Sequence, residues 1–340
     1  MNQPYDALLV VSFGGPEGMI DVMPFLENVL RGKNVPQERM RAVAHHYELF
    51  GGVSPINSQN RTLIAALEKE LEVAGLHLPI YWGNRNWHPM LADTLRRMMD
   101  DGIKNALAFF TSAYSSYSGC RQYREDILRA QSEVGPNAPQ VEKLRVFYNH
   151  PGFIEPNVEN VIKALKRIPE DRRAQTRIAF TAHSIPLSMA ANCDYEAQLQ
   201  ETCRLIAEGA GQKNWRLVFQ SRSGPPTQPW LEPDICDYLA ELKEAGTEDV
   251  IIAPVGFISD HMEVLYDLDT EAHALCEKIK LNMVRASTVG AHPTFIRMIR
   301  ELIQERMNPE TPRRFLGTRG VRQDFCPADC CLITARTISV

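Results

Sequence analysis

The chain has 340 residues, eight of them cysteine, and its 37 Lys and Arg against 42 Asp and Glu leave a formal charge of −5. That length suits two domains of roughly 150 residues each, and the charge supplies no broad attraction to a phosphate backbone or an anionic membrane, so nucleic acid is not an expected partner. The opening Met-Asn-Gln-Pro-Tyr-Asp lacks a basic and an apolar leader region, and no run nears the roughly 20 apolar residues that span a bilayer, so a cytosolic (cytoplasmic) protein with reduced thiols and no transmembrane segment is expected.

Short apolar runs rich in β-formers alternate with segments of helical period, the pattern of β-α units around parallel sheets. The first half offers strands at 7–13, 78–83, 105–111 and 141–148, and the second at 177–183, 215–221, 249–257 and 281–286. Between them lie amphipathic stretches such as 57–74, with Leu63, Ile64, Leu67, Leu71 and Val73 near helical spacing. The turn chemistry of Asn149-His150-Pro151-Gly152 places a boundary near 150. The expectation is an α/β fold of two four-stranded parallel layers, 1–150 and 151–308, closed by a helix at 293–306 that packs on either half. A C-terminal extension, 309–340, then carries a cysteine cluster.

Ligands of open parallel sheets sit beyond the carboxyl ends of the strands, so polar residues placed there draw attention first. Gly14-Gly15-Pro16-Glu17-Gly18 lacks the order of a nucleotide-binding loop and reads as a tight turn that also lets a flat ligand approach the backbone. His183 closes the fifth strand, where a neutral imidazole can bind Fe²⁺ or accept a proton. Glu263, Asp267 and Glu271 recur at intervals of four, along one face if helical, with no lysine or arginine between Asp260 and Glu277. They form either a solvated acidic face or a row of oxygen ligands for a passing divalent cation. The run from Tyr114 to Tyr123 offers rings for a planar ligand, with Arg121 and Arg124 as cations for its carboxylates, or else core tyrosines in an ordinary loop. Trp82, Trp87 and Trp230 add aromatic surface near other strand ends.

Several ordered segments together resemble the bacterial ferrochelatases, and most of all the coproporphyrin ferrochelatases. They are Ser12-Phe13-Gly14-Gly15-Pro16-Glu17, Phe50-Gly51-Gly52-Val53-Ser54-Pro55-Ile56-Asn57, Gly83-Asn84-Arg85-Asn86-Trp87, Thr181-Ala182-His183-Ser184-Ile185-Pro186, Gln220-Ser221-Arg222-Ser223-Gly224-Pro225-Pro226 and Ser259-Asp260-His261-Met262-Glu263-Val264-Leu265-Tyr266, together with the run ending at Tyr123. The resemblance implies two Rossmann-like domains of the class II chelatase kind with a porphyrin cleft between them. It also implies insertion of ferrous iron, with His183 and Glu263 as catalytic metal-site residues and Asp267 and Glu271 as a path.

By the same resemblance, Ser54, Tyr123, Arg31, His46 and Tyr47 match the family's porphyrin-contacting positions, and Phe13 stands where some relatives have a tyrosine able to bind product iron. Phenylalanine has no ligand atom, which leaves His183 for that contact. The resemblance favours coproporphyrin III as substrate; protoporphyrin IX, or a porphyrin carrier without turnover, is the alternative. The tail Cys326-Pro327-Ala328-Asp329-Cys330-Cys331 resembles the cysteines that hold a [2Fe-2S] cluster in some ferrochelatases, with Cys120 as fourth ligand; a Cys₄ zinc site or free thiols are the alternatives.

Overall fold

In a computed structural model, which describes residues 4–32, 35–225 and 227–333, the chain forms eight strands in two parallel four-stranded sheets. Pro226 and residues 334–340 of the tail thus lie outside the described residues. The strands are β1 (Ala7–Ser12), β2 (Ile80–Asn84), β3 (Asn105–Phe110), β4 (Gln140–Lys143), β5 (Arg177–His183), β6 (Trp215–Gln220), β7 (Asp249–Ala253) and β8 (Asn282–Arg285). The sheet orders are β2-β1-β3-β4 and β6-β5-β7-β8, so each sheet reverses direction of growth beside its first strand. That is the point where a crevice opens at the strand ends.

Helices cover both faces, which is why β1, β3, β5 and β7 are buried along nearly their whole length and read as continuous apolar runs. Helix Ile56–Val73 buries Leu63, Leu67 and Leu71, one stripe at three- to four-residue spacing.

Two expected strands overran their observed ends by several residues. The expected 141–148 ends at Lys143, because Leu144–Tyr148 dives into the core instead of continuing the ladder. There the Phe147 ring meets Phe109, Phe153 and Phe295, and Arg145 forms a buried ion pair with Glu305. The expected 249–257 stops at Ala253, one residue before Pro254, which has no N–H for a ladder bond.

One hydrophobic cluster runs from Leu8 and Phe109 in the first sheet through Phe147, Phe153 and Phe295 to Phe180 and Ile251 in the second. Helices Pro151–Leu165 and Pro293–Met307 lie in this shared core, and the latter crosses to the first half, where Arg300 pairs with Glu70 at 2.7 Å. The two sheets are therefore docked through apolar surface and not through a hydrated hinge.

Candidate active site

The loop after β1 forms one wall. Gly14 adopts a left-handed backbone, φ +82°, and a Cβ on Gly15 would come within 2.7 Å of Ser54, so both glycines are dictated by turn and packing. Buried asparagines fix the loop. Asn57 donates to the Gly15 carbonyl at 3.1 Å, Asn60 to Ser12 Oγ at 2.9 Å, and Asn84 to Asn57 Oδ1 at 3.2 Å. Asparagines split between a helix and a strand end carry no spacing signal, and sequence reasoning gave them no role.

Phe13 lies beside Phe25, Tyr47 and Trp87 in a small aromatic cluster. Helix Gln37–Glu48 carries that cluster's Tyr47 toward the second half, where His46 stacks on Tyr266 with centroids 3.5 Å apart, and Arg39 reaches the Ser223 carbonyl at 2.5 Å.

The opposing wall is made by the ends of β5, β6 and β7. His183 is the last residue of β5, in register with Gln220 on β6. Its Nδ1 faces the Ser184 carbonyl, and Tyr195 Oη donates to the His183 carbonyl at 3.1 Å, so the ring's Nε2 is left to point outward. Glu263 opens helix Met262–Tyr266 with Oε1 3.7 Å from His183 Nε2. The pair is partly open to solvent, at 32% and 45% side-chain exposure, as a site for an external substrate must be.

His261 approaches the other carboxylate oxygen of Glu263 at 3.7 Å, and burial lowers its pKa against the opposing pull of Glu263. His261 thus favours the neutral form. It stood in plain view in the sequence but drew no assignment, since nothing there showed that one carboxylate would face two imidazoles.

After Tyr266 the helix widens into a π-helical turn, Asp267–Ala272, a feature frequent at functional sites. Asp267 accepts hydrogen bonds from Ser221 and, at 3.2 Å, from Gln220, whose amide also donates to the Glu263 carbonyl at 3.0 Å. Burial above all, and then Glu263 and Glu271, raise the Asp267 pKa to about 7. Burial followed by Asp234 raises that of Glu271. Arg285 reaches back from β8 to neutralise the flanking Asp260 at 3.2 Å and Asp269 at 2.5 Å. Glu263, Asp267 and Glu271 have no arginine or lysine partner among the described residues. Their mutual repulsion is what a cation or a proton would relieve.

The remaining expected residues are placed differently. Ser54 is buried under Gly15, and Arg31 is exposed and bonded to Asn28. Tyr123 is a core side chain between Phe110 and the Arg85 guanidinium, 4.5 Å from its ring centre. Tyr114 is also buried, donating to the Val255 carbonyl at 2.9 Å, so its ring offers no surface to a planar ligand. Of the tryptophans, Trp87 joins the aromatic cluster and Trp230 packs over Gly224.

Arg121 and Arg124 do not serve a ligand's carboxylates. Arg121 donates to the Ala328 and Cys330 carbonyls at 2.7 and 3.0 Å, and Arg124 to the Cys326 carbonyl at 3.3 Å, so both hold the tail. Cys120, in the π-helical turn Tyr117–Arg121, neighbours Cys326, which interacts in turn with Cys330; Cys330 and Cys331 Sγ are 3.5 Å apart. The Cys120 thiol, with Lys143 and Arg124 nearby, lowers the Cys326 pKa, which favours its thiolate. Among the described residues no three His, Cys, Asp or Glu side chains stand in an arrangement already set to hold a metal ion, and no helix is long and apolar enough to cross a membrane.

Comparison with known proteins gives a consistent picture. The sequence profile of the Ferrochelatase family matches residues 5–307. A protein named ferrochelatase from Rhodopirellula baltica is 60% identical over 334 residues, 98% of this chain and 95% of that one. The coproporphyrin III ferrochelatase of Streptomyces coelicolor is 51% identical over 350 residues, 96% of this chain and 93% of the relative. Among solved structures, the sirohydrochlorin chelatase SirB of Bacillus subtilis subspecies spizizenii, in complex with cobalt, superposes with a TM-score of 0.51 at 15% identity, covering 91% of this chain and 98% of SirB. At that identity the likeness speaks for the fold alone.

Proposed function

The chain belongs to the ferrochelatase family, and we propose that it inserts Fe²⁺ into coproporphyrin III, with His183 and Glu263 as the pair that meets iron and ring protons. The carrying observation is the partly open His183–Glu263 pair, 3.7 Å apart, backed by Asp267 with its pKa raised to about 7. Insertion exchanges one Fe²⁺ for two pyrrole protons, so the site must handle a dication and two protons in one place. A neutral imidazole and a carboxylate at the ring centre can take the protons, and Asp267 and Glu271 extend the acidic row away from them. The first wall's task is different. By gripping the macrocycle between Phe13, Tyr47 and the opposing wall it favours a bent ring, whose lone pairs point out of plane toward iron. His183, Glu263, Asp267 and Glu271 serve iron in this reading, and Ser54, Phe13, Tyr47, His46, Arg31 and Tyr123 line or support the porphyrin wall.

Coproporphyrin III as substrate rests on the similarity to relatives named coproporphyrin III ferrochelatase, such as that of Streptomyces coelicolor. It carries two propionates where protoporphyrin IX has vinyls, and each charge-assisted hydrogen bond is worth on the order of 1.5–3 kcal/mol before ordering and desolvation. An anaerobic assay with Fe²⁺ and each porphyrin, read by product absorption, should give a kcat/KM for coproporphyrin III at least about tenfold higher. Equal rates would overturn the substrate while leaving the chelatase reading; no metalloporphyrin from either would overturn both.

The second part of the proposal is a [2Fe-2S] cluster on Cys120, Cys326, Cys330 and Cys331. Four thiols drawn into one neighbourhood beside Lys143, Arg121 and Arg124 fit an anionic cluster, which would supply one-electron redox chemistry when bound. Iron and sulfide in metal analysis of anaerobically purified protein support it; stoichiometric zinc without sulfide assigns a Cys₄ zinc site instead. We further assign 1–150 and 151–308 as two domains with 309–340 as an extension, in a cytoplasmic protein.

A further inference from the structure

Arg85 is a buried cation whose neighbours belong to two separate parts of the protein. Its Nε donates to Asp126 Oδ2 at 2.5 Å, the side chains being 4% and 8% exposed, and its backbone N–H bonds the Ser12 carbonyl at 3.0 Å. The guanidinium lies 4.5 Å from the centre of the Tyr123 ring and 5.7 Å from that of Phe13. Tyr123 and Asp126 stand on helix Gln122–Val134, whose first turn carries Arg124 and is preceded by Cys120 and Arg121, the residues that hold the cysteine tail. Phe13 belongs to the aromatic cluster that contains Tyr47, and Glu263 acts on the Tyr47 hydroxyl from the other wall.

We propose that Arg85 is a positioning residue that couples docking of the cysteine tail to the shape of the porphyrin wall, by transmitting displacements of helix Gln122–Val134 to Phe13. The physical reason is that the Arg85–Asp126 pair is nearly dry. A buried guanidinium cannot drift from its carboxylate without leaving a charge uncompensated, so it follows the helix. The cation, 5.7 Å from the Phe13 ring centre, must then move against that ring, a contact that arginine makes more often than lysine. A lysine in its place keeps the charge but not the plane.

The inference rests on the porphyrin reading of the cleft and is tested on the full-length chain by titrating coproporphyrin III and following its absorbance. Substituting Arg121→Gln with Arg124→Gln, which frees the tail without touching the cleft, should weaken porphyrin binding about tenfold, within the usual range of coupling between sites. Arg85→Lys should weaken it to a similar degree. Combining all three should add nothing further, because the connection is already cut. In the paired replacement Arg85→Met with Asp126→Leu, which leaves no buried charge if the lysine variant does not fold, the tail substitutions should likewise lose their effect. KM for porphyrin should rise in these variants with kcat changed far less. Effects that multiply in the combined variant, or tail substitutions without effect on binding in the parent, overturn the coupling alone. No spectral change with the parent protein overturns the porphyrin reading and the coupling with it.

Discussion

The two sheets share a strand order and an orientation, yet the ends of their strands carry opposite chemistry. Beyond β1 and β2 the chain places rings, glycines and buried asparagines whose amides bond to one another or to carbonyls. Beyond β5, β6 and β7 it places two histidines and three carboxylates whose charges remain largely uncompensated. The first wall is internally satisfied, so it can be rigid and hold a large flat ligand. The second is unsatisfied, so it gains when a cation or protons arrive. On the proposed function, one topology used twice divides gripping from reacting, and the shared core joins the two sheets.

If that division is real, substitutions on the second wall should fall on kcat and those on the first on KM. The largest effect belongs to His183→Ala and Glu263→Gln. Each should lower metal insertion by about 10²–10⁴-fold, the range of a lost acid–base group, while coproporphyrin III still perturbs its absorption on binding. Both side chains are partly exposed, so thermal stability should barely change. A variant that keeps more than about a tenth of parental turnover removes that residue from the metal pair.

Asp267→Asn sharpens the comparison at an intermediate size, about tenfold in rate, and adds a pH signature. The folded pKa is raised from 3.8 to about 7, so the folded state holds a proton that the unfolded chain has released. Stability contributed by that proton is complete below 3.8 and is lost as pH rises to about 7. The shift corresponds to roughly 4 kcal/mol, which partial exposure reduces to about 1–2 kcal/mol. Asparagine escapes the loss, so the variant should match the parent in Tm near pH 4 and exceed it at pH 8. A parent more stable than the variant at pH 8 would mean that Asp267 is a favourable anion, and the second wall would then be as satisfied as the first.

Much of this was legible in the sequence because strands buried on both faces announce themselves as apolar runs, and all eight begin within two residues of where the pattern puts them. The exits were less legible. The segment after Lys143 keeps strand-like composition, but the pull of the Phe109, Phe153 and Phe295 rings takes it out of the sheet. His183 and the acidic spacing could be picked out because charged groups at strand ends are conspicuous. The role of Arg85, the second imidazole on Glu263 and the use of Arg121 and Arg124 for the tail depend on contacts across 40 to 210 positions of chain, or on which way a ring turns. No local pattern encodes those.

The smallest expected effect is the most direct test of the first wall. Gly15 does not need a left-handed backbone; it is required by space, since a Cβ there would lie 2.7 Å from Ser54 Cβ and 2.8 Å from Ile56 Cγ2. Gly15→Ala must therefore displace the loop or Ser54, at a cost of about 1–3 kcal/mol for overpacking a close contact. The Asn57 bond to the Gly15 carbonyl resists a shift of the loop, so Ser54 and the start of helix Ile56–Val73 should yield instead. That changes the surface offered to the porphyrin and leaves His183 and Glu263 where they are. KM for coproporphyrin III should rise about three- to fivefold with kcat altered less than about twofold, the sign of lost uniform binding. A fall in kcat at unchanged KM would show that the loop shapes the transition state itself, and gripping and reacting would no longer be separable between the two walls.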